Sequence, residues 1–324
     1  MTSREIVKAV IEFDAKERIA VDFNENFGND FYYVGPQPSP DERRNIIDAD
    51  EWGSVWENIG VSRLGEVKHF PLIDWKDKNN LLIPDVKRPD RWKAVERARA
   101  EHKDRFIMGA GISIYERIHF IRGLENTWVD IHENPDELCW LLDILTDMNL
   151  YCIEKFKEAG FDGFTTCDDW GLQERLMINP ADFRKLWKPH YARIYSAAHR
   201  AGLKTILHSC GHITEILDDL IDAGLDVIQM DQQMNMGLDN LSKQFAGRIT
   251  FYSPADIQMV LPYASEDEVR DYCRQLFSAF WRNGGFIPKI YGDNVGAGFT
   301  IENENVMCLE FLKIGKEIMD SSKS

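Results

Sequence analysis

From Arg91 onward the chain repeats one pattern, an amphipathic helix followed by a short apolar strand, and few architectures accept it. Helix Arg91 to His102 leads into strand Phe106 to Ile112, and helices then cover Ser113 to Arg122 and Asp136 to Ala159. Strand Asp162 to Thr166 and helix Pro180 to Ala201 follow, then strand Lys204 to His208 and helix Ile213 to Ala223. Strand Asp226 to Met230, helix Leu238 to Phe245, strand Arg248 to Tyr252, helix Glu266 to Trp281, strand Phe286 to Ile290 and helix Asn303 to Met319 complete the series. Asn134-Pro135 opens the helix that Gly160 closes, and Gly202 and Gly224 close two others, as caps at those ends should. Strands separated by helices must run parallel, so the pattern predicts a parallel sheet wrapped by helices. A doubly wound open sheet would carry a glycine-rich phosphate loop after its first strand, and none is present. The expected fold is therefore α/β, a (β/α)8 TIM barrel.

The first 90 residues are less regular. A helix over Ser3 to Ala15 precedes a short strand, Ile19 to Phe23. Gly35-Pro36-Gln37-Pro38-Ser39-Pro40 cannot be helical, and Asp50 to Trp56 and Val67 to Trp75 read as strand-and-turn material. This region is taken as an N-terminal extension that also supplies early barrel elements. With Ile19 to Phe23 and one of the short segments, the strand count reaches eight. At 324 residues the chain suits one such domain over 1–324.

A formal net charge of −16, with no basic stripe, argues against nucleic acid and anionic membranes as partners. No apolar run is long enough to span a bilayer, and Met1 to Glu5 enter a helix without a signal-peptide stretch; a cytoplasmic location is expected. The six cysteines are scattered, which suits reduced thiols rather than a disulfide framework. Five of them need only burial as an explanation. Cys210 stands apart.

In a barrel, chemistry collects on the loops after the strands. Those loops read Cys167-Asp168-Asp169-Trp170-Gly171-Leu172-Gln173-Glu174, Ser209-Cys210-Gly211-His212, Asp231-Gln232-Gln233, Ser253-Pro254-Ala255-Asp256 and Tyr291-Gly292-Asp293-Asn294. His208 and Cys210 are two apart in extended chain, so imidazole and thiol share a face and can meet one ion; zinc accepts both. The same spacing also suits a barrel-lining histidine beside a buried cysteine. Of Asp168 and Asp169 only one should face the pocket, because neighbours in a strand point opposite ways. A rival set, Glu154 with Asp169 and His190, would straddle opposite rims roughly 15 Å apart and is rejected.

These residues carry a family resemblance across nearly the whole chain. Arg18-Ile19-Ala20-Val21-Asp22-Phe23, Asp50-Glu51-Trp52-Gly53, Asp168-Asp169-Trp170-Gly171-Leu172-Gln173, His208-Ser209-Cys210-Gly211, Leu261-Pro262 and Gly284-Gly285-Phe286 resemble the uroporphyrinogen decarboxylase superfamily, which includes zinc-dependent, corrinoid-linked methyltransferases. True decarboxylases of that family hold a polycarboxylate with an arginine-rich segment after the first strand. Here Asn24 to Gly28 occupies that place, and no arginine follows until Arg43. The methyltransferase branch looks closer. In that branch a His-x-Cys pair and a further ligand, often a cysteine after the last strand, hold zinc. No cysteine lies near Tyr291-Gly292-Asp293, which leaves an acid as third ligand and a harder Lewis acid, suited to an ether oxygen.

The resemblance implies a methyltransferase of the O-demethylase type, moving a methyl group from a small methoxylated donor to corrinoid (cobalamin) on a separate protein. Zn2+ would sit on His208 and Cys210 with Glu174 as the acid, Asp169 being the other candidate. Asp169, Gln232, Asp256 and Tyr291 would form the catalytic pocket. A metal-free decarboxylase of a small substrate using Asp169 is the second reading, and a barrel that only binds a corrinoid or its carrier is a third. Homo-oligomer formation stays open.

Overall fold

The computed structural model of the chain describes residues 1–38, 48–58 and 65–321. Ser39 and Pro40 of the proline-rich stretch, and Arg43, lie outside the described residues. Helix α1 (Ser3–Ile11) starts on a capping box in which Thr2 and Glu5 bond each other's backbone N–H, and it buries Ile6, Val7, Val10 and Ile11. Strand β1 (Phe31–Val34) follows, then an antiparallel pair, β2 (Val55–Asn58) and β3 (Gly65–His69). From there helices and strands alternate: α2 (Lys93–Glu101), β4 (Phe106–Ala110), α3 (Glu116–Arg122), α4 (Leu124–Glu133), α5 (Pro135–Glu158), β5 (Gly163–Cys167), α6 (Lys188–Arg200), β6 (Lys204–His208), α7 (Thr214–Ala223), β7 (Val227–Gln229), α8 (Leu238–Phe245), β8 (Thr250–Ser253), α9 (Glu266–Phe280), β9 (Phe286–Pro288) and α10 (Ile301–Ser321).

The helices form where apolar spacing and caps agree. In α5, Pro135 occupies the first turn with Asp136 and Glu137, where acids suit the helix dipole, and Leu138, Leu141, Leu142 and Leu145 are buried. Helix α7 ends on Gly224 at φ +106°, a left-handed conformation that costs glycine nothing sterically.

The strands form one seven-stranded sheet in the order β1-β4-β5-β6-β7-β8-β9, with every pair parallel. Each new strand joins the same growing edge, and the order never reverses as it would in a doubly wound sheet. The sheet is curled. Phe31 of β1 stacks on Tyr252 of β8 at 5.5 Å between ring centroids, across the interior. The chain thus has a TIM-barrel-like α/β fold whose parallel sheet holds seven strands among the described residues, where sequence led us to expect eight. Ile19 to Phe23 contributes a single parallel bridge, Asp22 to Lys289, because the chain folds back at once to pair Asp22 with Asn29. The first sheet strand is instead Phe31–Val34, four residues too short to show a periodicity.

Two helical expectations also change. Gly123, at φ +87°, breaks the backbone and starts α4, a helix absent from the sequence reading. The predicted helix Pro180 to Ala201 is interrupted by a π-turn, Phe183–Trp187. That widening lets both Phe183 and Trp187 set ring edges against Trp170, at 4.9 and 5.3 Å. Among the described residues no helix is long and apolar enough to cross a membrane.

At the lower rim, His199 Nε2 lies 2.9 Å from Asp226, whose carboxylate also accepts the Thr205 N–H at 2.8 Å. The hydrogen bond to Asp226 raises the His199 pKa, against burial. Burial would raise that of Asp226, but His199 and the Thr205 N–H outweigh it and hold it low. The histidine's contribution is therefore complete below its unfolded pKa of about 6.5 and fades as pH rises through the higher folded value; the aspartate's fades as pH falls below about 3.9. His199→Gln should lower stability most near pH 5 to 6, by under about 1 kcal/mol since the pair is part-exposed, and by almost nothing above about pH 8. Thermal melts across pH check this; a constant difference would mean the pair does not titrate as described.

Candidate active site

The site grows from a row of register partners. Cys167, His208, Gln229 and Tyr252 stand side by side at the C-terminal ends of β5, β6, β7 and β8. Register partners in parallel strands share a face, so these four side chains form one rank across the barrel mouth.

Two loops then lock together above that rank. The Asp168 N–H donates to the His208 carbonyl (2.9 Å), the Trp170 N–H to Ser209 Oγ (3.1 Å), the Gly171 N–H to the Cys210 carbonyl (3.1 Å) and the His212 N–H to the Leu172 carbonyl (2.8 Å). The approach leaves no room for side chains: a Cβ on Gly171 would lie 2.3 Å from the His212 nitrogen, and one on Gly211 2.2 Å from the Gly171 oxygen. The Asp-Asp-Trp-Gly and His-Ser-Cys-Gly stretches are thus two halves of one device. Asp168 turns outward and is fully buried, accepting the N–H groups of Tyr115 (2.8 Å), Glu116 (3.1 Å) and Ile114 (3.2 Å) and the Tyr191 hydroxyl (2.7 Å). Asp169 turns inward.

Around His208 the contacts are close. Its Nε2 lies 3.3 Å from Cys210 Sγ and 3.4 Å from Asp169 Oδ1, and Asp169 Oδ1 also accepts the Cys210 N–H at 2.7 Å. Its Nδ1 contacts Gln229 Oε1, with Asp231 4.0 Å away. Gln229 in turn donates to Asp231 (2.7 Å), and Lys289 lies 3.5 Å from the same carboxylate. Burial disfavours the imidazolium, but Asp169, Cys210 and Asp231 outweigh it and carry the His208 pKa well above the ordinary range. Burial would likewise raise Asp169, yet His208 and the Cys210 N–H hold it low. The Cys210 thiol is pushed up by burial, against the pull of His208. Behind this group, burial and then the charges of Asp169 and Asp168 raise Glu116 to about 8, while burial drops His119 to about 3.

Among the described residues two sets of donor atoms could hold a metal ion, each with its atoms within 4.8 Å of one another: Cys167, Asp169 and His208, and His208, Cys210 and Asp231. The donor chemistry fits zinc. Donors on a tetrahedral zinc are separated by about 3.4–3.6 Å, given bond lengths of about 2.0–2.3 Å. The two contacts at Nε2, 3.3 and 3.4 Å, lie near those edges, while Cys210 and Asp169 themselves fall in different sets. With Gln229 Oε1 accepting from Nδ1–H, the lone pair that the ring offers once its Nε2 proton is lost to an ion faces Cys210 and Asp169.

Below the rank lies a chamber of about 260 Å³, lined by Tyr33, Ala110, Thr165, His208, Tyr252 and Lys289 among others. On its wall Asp22 accepts the hydroxyls of Tyr252 and Tyr33 (the latter at 3.2 Å) and the Asn29 amide at 2.9 Å. A second, outer space of about 450 Å³ opens at the mouth between Gln173, Gln232, Met259, Tyr263 and Tyr291.

Of the residues singled out by sequence, His208, Cys210 and Asp169 come together. Gln232 accepts the Gly211 N–H at 2.8 Å and lines the mouth with Tyr291, whose hydroxyl burial and the nearby Asp231 push up to about 12. Glu174, expected as a metal ligand, is exposed and belongs to neither donor set: the Gly171–Leu176 bridge folds residues 172–175 into a tight turn out to solvent. Asp256, expected in the pocket, is fully buried and spends its carboxylate on the N–H groups of Met234 (3.0 Å), Gln258 (2.9 Å) and Met259 (2.8 Å); it fastens loops. His190 bonds Thr146 at 2.8 Å between helices and Glu154 is exposed, so the rejected set is apart from the site. Sequence reasoning passed over Cys167, Gln229, Asp231, Lys289, Asp22 and the two tyrosines. The period-2 alternation carried a usable signal for Cys167 and Gln229, each a strand-end residue in register with His208.

Comparison with known proteins follows the same line. A family model described as uroporphyrinogen decarboxylase matches residues 65–309. A curated uroporphyrinogen decarboxylase of Thermus thermophilus is 31% identical over 178 residues, 53% of this chain and 51% of the relative. One from Nocardia farcinica is 28% identical over 112 residues, 35% of this chain and 30% of the relative. The chain therefore spans about half or less of the length of the curated relatives it matches. Among solved structures, a methyltransferase from Methanosarcina mazei superposes with a TM-score of 0.63 at 18% identity, covering 82% of this chain and 76% of that one, a likeness of fold.

Proposed function

The chain belongs to the uroporphyrinogen decarboxylase family, and from that premise we propose that it is a zinc-dependent methyltransferase, passing a methyl group from a small methoxylated substrate to a corrinoid on a separate protein. The observation that carries the reading is the geometry at His208 Nε2, with Cys210 Sγ at 3.3 Å and Asp169 Oδ1 at 3.4 Å. His208 would hold the ion with Cys167 and Asp169 or with Cys210 and Asp231, and a site that uses both Cys210 and Asp169 requires those two side chains to close up on the ion. A zinc ion bound there would supply Lewis-acid polarisation of the ether oxygen.

The remaining work falls to the chain's own groups. Gln229 fixes the imidazole ring and its tautomer, and Lys289 balances the buried charge of Asp231 beside it. Tyr33 and Tyr252, pinned by Asp22, wall the chamber in which the ether would lie and limit its water. The C–O bond would break with its electron pair on oxygen, which would take a proton from water and leave as the alcohol, while the methyl group would pass as a cation equivalent to the nucleophilic, two-electron-reduced corrinoid of the partner. The methyl group leaves toward the mouth, where Gln232 and Tyr291 line the approach.

The metal-free decarboxylase reading has its own support, since the curated relatives bear that name and Asp169 is held ionised beside His208. Metal analysis of purified protein, with methyl transfer from a methyl ether to free cob(I)alamin, separates the two. We expect close to one zinc per chain and loss of transfer in His208→Ala. Zinc-free protein that releases carbon dioxide from a carboxylated substrate would replace this proposal with the other.

A further inference from the structure

Beside the mouth lies a groove that the chemistry proposed above leaves unused. It encloses about 460 Å³ between the loops after β7 and β8 and the N-terminal half of helix α9. Met259 and Tyr263 line both this groove and the outer space at the mouth, so the two are neighbours across one ridge. The loop side of the groove is apolar. Met234, Met259 and Tyr263 keep 46, 54 and 79% of their surface open, and Tyr263 is the most open large apolar side chain among the described residues. Single exposed apolar residues are ordinary, but three around one groove mark a contact surface. Tyrosine and methionine are also types that protein interfaces favour.

That wall is built before anything binds. The Asp256 carboxylate accepts the N–H groups of Met234 and Met259, so one buried acid fixes two methionines from different loops. Beneath them Val260 and Tyr272 are buried, and the Tyr272 hydroxyl reaches Gln233 at 3.4 Å. An occupant therefore meets a shaped surface and is spared the cost of ordering it.

The helix side carries charge. Glu268, Asp271 and Gln275 follow one another at i, i+3 and i+7, a single stripe along α9. Glu268 is partly committed to the Ser265 N–H and hydroxyl. Asp271 is exposed, and the adjacent Arg270 pairs with Glu266 and Asp267 instead. From Glu268 to Gln275 the stripe runs about 10 Å, the length of two helical turns. Its complement is a helix with an apolar face and a basic edge. Anionic lipid or an acidic segment would meet repulsion from Asp271 and from a net charge of −16.

We propose that this groove receives an amphipathic helix of a partner protein, its apolar face against Met234, Met259 and Tyr263 and its lysine or arginine edge against Asp271 and Glu268. Because Met259 and Tyr263 also line the mouth, the bound helix overhangs the active site. The surface is independent of the reaction, so it stands whether the site transfers a methyl group or releases carbon dioxide.

Fluorescence anisotropy with the full chain tests this, using a labelled peptide of leucine and lysine about 18 residues long, enough to form a helix. One version sets its leucines along one helix face, a second scrambles the same composition, and a third replaces each lysine with glutamate. The first should bind saturably, and the other two at least about tenfold more weakly. Tyr263→Ala and Asp271→Lys, both at exposed side chains, should each weaken the first peptide at least about tenfold with the melting temperature near wild type. Asp320→Lys, an equal charge reversal at an exposed acid of α10, should leave its affinity unchanged. Absent or non-saturating binding of the first peptide, equal binding of the scrambled one, or wild-type affinity in either groove variant overturns the inference. So does an equal loss in Asp320→Lys, which would reduce the effect to overall charge. Self-association of the chain that Tyr263→Ala abolishes would overturn it too, by making the groove a face between copies.

Discussion

Cys210→Ala should weaken zinc binding by at least about a hundredfold, and Asp169→Asn by a comparable factor. The estimate follows from dividing roughly 10–16 kcal/mol of structural zinc binding among three protein donors, which puts each above about 3 kcal/mol. Which acid completes the set is decided by the ring nitrogen that faces the ion. Gln229 and Asp231 lie on the Nδ1 side of His208, Cys210 and Asp169 on the Nε2 side. Asp231 is also committed to Gln229 and Lys289, which makes it an outer support. Asp169→Asn is the informative change. Its remaining oxygen can still accept the Cys210 N–H, so the loops stay joined while the charged donor is lost. Competition titrations against a chelating dye, with melting temperature as a control, read both effects. Should Asp231→Asn lose zinc while Asp169→Asn keeps it, the third donor is Asp231.

Gly211→Ala should cost several kcal/mol of stability, about 3–5, and lower the melting temperature by on the order of 10 °C. Two penalties add at this residue. Its φ of +75° puts an L-residue in the left-handed region, at about 1–2 kcal/mol. The new methyl would also lie 2.2 Å from the Gly171 oxygen and 2.4 Å from its carbonyl carbon, backbone atoms that cannot swing aside. Relief requires the two loops to part, which pulls Asp169 away from Cys210. Zinc affinity should therefore fall together with the melting temperature. A Gly211→Ala protein with unchanged melting temperature would show that the loops separate freely.

Much of the fold was legible because helices from Lys93 onward bury one face and end in recognisable caps, and a helix between every pair of strands forces parallel pairing. The early strands were not, since four residues such as Phe31–Val34 give no measurable period and their pairing with β4 is non-local. At the site, alternation implied that only one of Asp168 and Asp169 faces the pocket without saying which, and the structure turns Asp169 inward; the i, i+2 rule put His208 and Cys210 together. It could not see that Glu174 sits in a turn bent out to solvent, or that Asp256 serves three amides, because both depend on loop geometry. Cys167 was hidden for another reason: a strand-end cysteine has the sequence profile of ordinary core.

The wall of the inner chamber has a consequence for biosynthesis. Tyr33 meets Tyr252 across 219 residues of chain, and Asp22 meets Tyr252 across 230. The His208, Cys210 and Asp169 donors, by contrast, come from two neighbouring loops about 40 residues apart. During synthesis the proposed metal donors are complete before Tyr252 and then Lys289 emerge to close the chamber. On the proposed reading an ion could be loaded into a half-built protein, before the strands that make room for a substrate are in place.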